Sequence, residues 1–188
     1  MTGDPTLRSL RDRPFELLKE LDRRARAAAQ GQPEAAASGA EWVGIAFRLG
    51  GEAFLLAREE TREVMGYPSS VTRVPGARAW IRGLANVRGQ LLPIIDLRAF
   101  LGSGNTSAGR TTRVLVAGHR EIPAGLVVDE VMGFRRFYES EFSADLPPTL
   151  LRCERYLAGA FKRGAEVWPV FSVRALLESP QFLQAAAS

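Results

Sequence analysis

Hydrophobic and polar positions alternate along most of the chain beyond residue 40. Between residues 43 and 49 every second side chain is large and apolar, and this period of two predicts a half-buried β-strand. The pair Gly50-Gly51 follows, and glycines readily adopt the positive φ angles of a tight hairpin turn. Residues 52–57 are apolar again, so the pattern predicts a second strand that returns beside the first.

Further short apolar segments follow, with turn residues between them. The predicted strands are Leu84–Val87, Leu91–Leu97, Arg113–Ala117, Gly125–Val128, Val131–Phe137, Tyr156–Lys162 and Glu166–Val173. The predicted turns are Arg88-Gly89, Gly118-His119-Arg120 and Arg163-Gly164. Helical patterns beyond residue 40 are short, at residues 77–81, 98–101, 174–177 and 180–188. Many short strands joined by tight turns predict an all-β barrel or sandwich, and the lack of helices between successive strands argues against a parallel α/β sheet.

The first 40 residues follow a different pattern. Apolar side chains between Pro14 and Gly31 recur at helical spacing, and proline suits the first turn of a helix as glycine suits its end. Residues 32–40 are rich in alanine, glycine and serine, which is typical of a linker. The sequence therefore predicts three parts: a helical extension with its linker in residues 1–40, a β domain in residues 41–178 and a tail in residues 179–188.

The β region resembles itself. Residues 83–101 and 159–177 share glycine, proline and arginine positions at a constant offset of 76. Separately, the tetrapeptide Glu-Val-Met-Gly occurs at residues 63–66 and again at 130–133, each time after a predicted hairpin. Shared strand and turn composition can produce part of this likeness by chance, but the constant offset favours two related small barrels in one chain. Two such barrels would form a groove in which an adaptor could hold a partner.

Composition and charge narrow the class of protein. The net charge is +4 and the isoelectric point about 9.8, which is compatible with an anionic partner. The arginines are mostly isolated, however, and acidic residues interleave the dense segment Arg8–Arg26, so a solvated helix face is favoured. A small basic β-barrel that binds nucleic acid is the alternative hypothesis. No apolar run approaches the roughly 20 residues that span a bilayer, and no signal peptide is recognisable, so we expect a cytoplasmic protein without membrane insertion.

Residues that commonly carry catalysis or metal binding are scattered along the chain. His119 falls in a predicted turn and Cys153 in an irregular segment, and one histidine with one cysteine does not supply a typical zinc site. Arginine beside Cys153 could lower the pKa of its thiol. Asp129 and Glu130 are adjacent in an extended segment and so point to opposite faces, while Asp96 is expected to cap a short helix. We therefore predict no enzyme active site, no metal and no cofactor.

Several short motifs occur in a fixed order in the β region. They are Glu63-Val64, Gly66-Tyr67, Val-Thr-Arg-Val-Pro-Gly (71–76), Trp-Ile-Arg-Gly (80–83), Asn-Val-Arg-Gly (86–89), Pro-Ile-Ile-Asp-Leu (93–97) and Gly-Leu-Val-Val-Asp-Glu-Val (125–131). This series resembles the CheW-like coupling domain of bacterial chemosensory systems from about Trp42 to Glu178. The resemblance implies two packed SH3-like, five-stranded β-barrels with short helices. It also implies a non-catalytic adaptor whose partners are a methyl-accepting chemotaxis receptor and a CheA-type histidine kinase.

In that family the tip of the receptor hairpin docks in the groove between the barrels. The resemblance assigns this receptor-binding groove to Thr61, Glu63, Asn86 and Arg88. Glu63 and Arg88 would line or support the groove and Asn86 would shape its turn, whereas the family can carry a β-branched aliphatic residue at the position of Thr61. Two roles for Arg88 stay open: direct contact with the receptor, or an ion pair with a nearby carboxylate that holds the loop. The resemblance assigns no kinase-binding residue.

The segment Arg13–Arg26 resembles the N-terminal extension of the pilus-associated branch of this family. Members of that branch serve the chemosensory pathway that controls type IV pili and twitching motility. The resemblance thus implies a cytoplasmic protein that is recruited to membrane-bound receptor arrays, with no nucleic acid among its partners.

Overall fold

The computed structural model describes residues 39–119 and 122–185. The helix expected in residues 14–31 and most of its linker lie outside these residues. Within them the strands are β1 (Glu41–Leu49), β2 (Glu52–Ala57), β3 (Thr61–Gly66), β4 (Ile81–Val87), β5 (Gln90–Asp96), β6 (Arg113–His119), β7 (Ile122–Val128), β8 (Glu130–Tyr138), β9 (Phe142–Ser143), β10 (Leu157–Arg163) and β11 (Glu166–Phe171). The helices are α1 (Leu97–Phe100), α2 (Val173–Leu177) and α3 (Pro180–Leu183).

The all-β prediction is confirmed, and the strands lie close to their predicted places. Three details differ. The segments that form β3 and β9 were not predicted as strands, and residues 77–81 do not form a helix, since a turn at residues 79–80 leads into β4 at Ile81. The third difference is at His119, which was expected in a turn: the backbone of β6 continues through it and pairs with Ile122 of β7. Hairpin hydrogen bonding extends both strands beyond their apolar cores, so the apolar pattern underestimated their lengths.

The strands form two mixed sheets that exchange a hairpin. The five-stranded sheet has the order β3-β6-β7-β5-β4, and the six-stranded sheet has the order β8-β1-β2-β11-β10-β9. The hairpin β1–β2 precedes β3 in the chain but pairs with β8 and β11, while the hairpin β6–β7 pairs with β3 and β5. The later hairpin β6–β7 therefore completes the sheet that contains β3, β4 and β5. The early hairpin β1–β2 completes the sheet that contains β8, β9, β10 and β11.

Each sheet curls around an apolar interior of its own. Five strands of the six-stranded sheet contribute to one interior, namely Ala46, Leu55, Phe137, Phe161 and Val170. The five-stranded sheet encloses Ala85, Leu92, Ile94, Val114, Val116 and Val127, with Met65 packed against them. We call the five-stranded unit the first barrel and the six-stranded unit the second barrel. The two-residue period decides which side chains point inward, and burial of these side chains drives the curling.

A third and larger apolar cluster joins the two barrels. Strands of both barrels supply its buried residues, for example Leu115 and Leu126 from the first barrel and Phe47 and Phe54 from the second. Helices α1 and α2 add Phe100 and Leu176, among other residues. We call this the central cluster. Because both barrels contribute to it, neither could be removed without exposing apolar surface of the other.

Equivalent hydrogen bonds in the two barrels also show the internal duplication that the sequence suggested. Asp96 caps α1, as predicted, by accepting from the backbone N–H of Ala99, and Ser172 caps α2 by accepting from Ala175. The backbone N–H of Asp96 donates to Trp80, and that of Ser172 donates to Tyr156, both at 2.8 Å. Each member of the second set lies 76 residues after its counterpart. The offset read from the sequence thus relates equivalent positions in space.

A glycine sits at the same place in both barrels for a steric reason. Gly83 and Gly159 have φ angles of 140° and 147°, and each lies at a register shift of its strand. A Cβ at Gly83 would lie 2.1 Å from the backbone oxygen of Thr72, and one at Gly159 would lie 2.5 Å from that of Ser143. Only glycine permits this approach of a neighbouring segment to the strand.

The end of the described chain packs against the domain. Phe182 of α3 stacks on Trp80 with ring centroids 5.4 Å apart, and the backbone N–H of Arg78 donates to the carbonyl of Ala185. The division into domain and tail near residue 178 stays a prediction. In the part of the chain that the structure describes, no helix is long and apolar enough to cross a membrane.

Candidate functional site

Glu63 and Arg88 meet on the surface of the first barrel. Glu63 lies on β3, and Arg88 lies at the tip of the β4–β5 hairpin. The guanidinium Nη2 of Arg88 donates to Oε1 of Glu63 at 2.8 Å, and the side chains are 79% and 29% exposed, respectively. Because β3 and β4 are the outermost strands of their sheet, this ion pair bridges the two edges of the barrel. Solvent screening limits such an exposed pair to about 0–1 kcal/mol of stability.

The turn that carries Arg88 is held in a fixed conformation. Val87 pairs with Gln90, so the hairpin has a two-residue loop in which Arg88 and Gly89 have φ angles of 51° and 83°. Positive φ at both positions is the geometry of a type I′ turn, and a non-glycine residue adopts it at some energetic cost. The Oδ1 atom of Asn86 accepts from the backbone N–H of Gly89 at 2.8 Å and stabilises the turn.

Thr61 lies two residues before Glu63 but uses its hydroxyl locally. Its Oγ1 donates to the carbonyl of Ala57 at 3.2 Å. Thr61 pairs with Ala117 of β6 and Glu63 pairs with Val116, so two steps on β3 oppose one step on β6, which is the geometry of a β-bulge. Four residues were assigned to the groove. The structure pairs Glu63 with Arg88, and Asn86 stabilises the turn that carries Arg88. Thr61 contacts the end of β2 instead.

A shallow depression of about 310 Å³ adjoins the ion pair, and sequence reasoning missed its apolar part. Val87, Leu91 and Pro123 line it beside Glu63 and Arg88. Leu91 is 68% exposed and is one of several large apolar side chains that the described residues present to solvent. The signal in the sequence was a leucine at the first outward position after a tight turn. Arginine is among the residues that contribute most often to recognition of another protein, so Arg88 beside this apolar side chain is a candidate contact.

The remaining candidates take structural positions. Burial raises the pKa of the Cys153 thiol, although Arg152 is its neighbour in the chain. Asp129 accepts from the backbone N–H of Gly50 at 2.7 Å and so holds the β1–β2 turn. Among the described residues, no group of three or more histidine, cysteine or acidic side chains is placed to hold a metal ion.

Comparison with known proteins gives matches along most of the chain. The model of the CheW-like domain matches residues 43–181. Protein PilI of Pseudomonas aeruginosa is 42% identical over 173 residues, which cover 92% of this chain and 96% of that protein. The chemotaxis protein CheW of Bacillus subtilis is 30% identical over 100 residues, 53% of this chain and 64% of that protein.

A solved structure shows the same fold. The crystal structure of the scaffolding protein TtCheW from Thermoanaerobacter tengcongensis superposes with a TM-score of 0.67, at 24% identity, over 76% of this chain and 96% of that chain. The family model and the likeness to PilI along nearly the whole of both sequences confirm the resemblance that the motifs suggested. The chain belongs to the CheW-like domain family.

Proposed function

We propose that this protein is a non-catalytic adaptor that couples methyl-accepting chemoreceptors to a CheA-type histidine kinase. Membership of the CheW-like family supports the adaptor role. The likeness to PilI over 96% of that protein supports a pathway that controls type IV pili and twitching motility. The adaptor would act in the cytoplasm at membrane-bound receptor arrays.

We further propose that the receptor docks on the surface formed by Glu63, Arg88 and Leu91. The observation that carries this proposal is the ion pair between Glu63 and Arg88, held by a rigid turn beside an exposed leucine. The guanidinium has five N–H donors and the pair occupies one nitrogen, so the 79% exposed side chain can also donate to a partner. An apolar side chain of the receptor would cover Leu91.

Substitution of the ion pair tests this site. Arg88→Ala and Glu63→Ala should each weaken binding of the purified signalling hairpin of a methyl-accepting receptor by about tenfold, as is usual for loss of a central polar contact in an interface. Titration calorimetry measures the dissociation constant, and circular dichroism confirms that the variants fold. The matched control is Arg136→Ala, which breaks another exposed ion pair, with Glu41, at 3.3 Å on the second barrel. Unchanged receptor binding in both site variants would contradict the assignment.

A charge exchange separates the two roles that the sequence left open for Arg88. The double variant Glu63→Arg with Arg88→Glu can form the same pair in reverse. If Arg88 only holds the loop, the exchange should restore binding. If the guanidinium contacts the receptor, binding should stay as weak as in Arg88→Ala.

A further inference from the structure

A groove of about 620 Å³ opens on the second barrel and shares no residue with the Glu63–Arg88 surface. Aromatic side chains form much of its floor, so we call it the aromatic groove. Its lining residues include Trp42, Phe142, Phe161, Ala158 and Ser172. A cavity of this size can hold several side chains of a peptide.

Three rings of the groove form a continuous surface. Phe161 is buried, with its centroid 4.5 Å from that of Trp42 and 5.2 Å from that of Phe142. Phe142 is 41% exposed. The indole of Trp42 lies over Gly44, where a Cβ would come within 2.4 Å of the ring. The aromatic surface is thus fixed by packing and still open to solvent on one side.

The rim of the aromatic groove is acidic. Glu59 and Glu60 lie on the 3-10 turn that follows β2, and Glu139 begins the 3-10 turn that follows β8. Glu60 also accepts from the backbone N–H of Val173 at 3.4 Å. None of the described residues that line the groove is a lysine or an arginine, although the chain as a whole carries 25 basic residues and a net charge of +4. As far as the described residues go, the charge that lines the groove is therefore opposite to the net charge of the protein.

The first barrel shows what fills the equivalent position there. Ala158 and Ser172 correspond to Arg82 and Asp96, which lie 76 residues earlier. The Arg82 guanidinium pairs with the buried carboxylate of Asp96 and donates to the carbonyl of Thr106 at 2.8 Å. The backbone N–H of Thr106 donates to the same carboxylate at 2.9 Å. The Arg82–Asp96 ion pair and the backbone at Thr106 thus hold one another in the first barrel, and we call these two parts together the plug.

The second barrel lacks both parts of this plug. Alanine and serine stand in place of the ion pair, and the chain beyond α2 continues into α3, which packs on Trp80 instead of returning over the groove. Ala158 and Ser172, the counterparts of the ion-paired residues, both line the open aromatic groove.

We infer that the aromatic groove binds an extended, arginine-bearing segment of a partner protein. The guanidinium would lie against the aromatic rings and pair with Glu59 and Glu139, since arginine binds both to ring faces and to carboxylates. Apolar side chains beside the arginine would contact Phe142. The segment would complete the second barrel as Arg82 and Thr106 complete the first.

A peptide titration on the full chain tests this inference. The probe is a fluorescein-labelled peptide of about ten residues that alternates arginine with leucine and valine, and the control peptide carries uncharged citrulline for each arginine. Anisotropy should show that the chain binds the arginine peptide at least about tenfold more tightly, which is the order expected for a cation held by rings and carboxylates together.

Three variants locate the binding. Ala158→Arg with Ser172→Asp copies the plug of the first barrel and should abolish binding, while Glu59→Gln with Glu139→Gln should weaken it by about tenfold. The matched control Glu166→Gln removes an exposed carboxylate that does not line the groove and should leave the affinity unchanged. Arg88→Ala should also leave it unchanged, so this result is independent of receptor docking.

Two outcomes would overturn the inference. One is equal affinity for the arginine and citrulline peptides, or equal loss in Glu59→Gln with Glu139→Gln and in Glu166→Gln. The other combines two observations: the peptide fails to bind, and sedimentation shows that the chain self-associates. Only the Ala158→Arg with Ser172→Asp variant would abolish this self-association. In that case the groove holds a second copy of this chain rather than a partner segment.

Discussion

The chemistry of Cys153 follows from its spatial neighbours rather than from its neighbours in the chain. The thiol is buried, and the hydroxyl of Thr149 lies 3.5 Å from its sulfur. Burial raises the pKa of this thiol, with a further contribution from the nearby carboxylate of Glu154. Arg152 would have the opposite effect, but its side chain is exposed. A flanking arginine in the sequence therefore did not indicate an activated thiol.

Alkylation of Cys153 should accordingly be slow. A raised pKa means that less thiolate is present at mildly alkaline pH, and burial also blocks the reagent. We expect iodoacetamide to react with the folded chain at least about tenfold more slowly than with the chain unfolded in guanidinium, as followed by intact-mass spectrometry. Equal rates in the folded and unfolded chains would show that the thiol is accessible and ionised.

One buried carboxylate holds three elements of the first barrel. Asp96 ends β5, caps α1 through the backbone N–H of Ala99 and binds the backbone N–H of Thr106 in the loop before β6. It also pairs with Arg82 on β4. The equivalent residue of the second barrel, Ser172, caps α2 alone. The two caps look alike in the sequence but differ in the number of groups that depend on them.

The two caps should differ in energetic importance. Asp96→Ala should lower the free energy of unfolding by about 3–5 kcal/mol, because it removes the carboxylate that pairs with Arg82 and leaves the N–H of Thr106 without its acceptor. Ser172→Ala should cost only about 1 kcal/mol, the usual value of a helix N-cap. Urea denaturation followed by circular dichroism measures both. Similar losses in the two variants would mean that the Asp96 network contributes no more than a cap.

Periodicity was sufficient to predict most strands because their side chains alternate between interior and solvent. It did not predict β3, in which Glu63 and Thr61 are half-buried polar residues. The exchange of hairpins was also beyond prediction, since β1 pairs with β8 across some 90 residues of chain. At the candidate site, the family resemblance assigned Glu63 and Arg88. The exposure of Leu91 and the opening of the aromatic groove depend on whether a distant segment of the chain covers them. Local patterns do not encode that information.

At the scale of the whole molecule, the central cluster ties the barrels into one structure. Phe47 of the second barrel packs in it with its ring 5.7 Å from Phe54, and Leu115 of the first barrel belongs to the same cluster. A defect in this cluster removes contacts from both barrels at once. The two barrels, although related by duplication, are therefore expected to unfold together.

A cavity in the central cluster tests this coupling. Phe47→Ala should lower the free energy of unfolding by about 3–5 kcal/mol. Hydrogen exchange followed by mass spectrometry should then show the same loss of protection in β6 of the first barrel and in β10 of the second. Phe161→Ala, which truncates an interior residue of the second barrel only, is the comparison. Loss of protection confined to β10 in both variants would indicate that the barrels unfold separately.

The hairpin exchange also constrains how the protein is made. A ribosome releases the chain from its N-terminus, so β1 and β2 emerge before the other described strands. Their partner strands lie far along the chain, since β8 begins at residue 130 and β11 ends at residue 171. The first barrel can close once β7 is complete at residue 128. Until β8 and β11 are made, the outer edges of the β1–β2 hairpin have no partner strand, and exposed strand edges promote aggregation. Rapid translation of residues 129–171 would shorten that interval, and pausing there would create demand for chaperones.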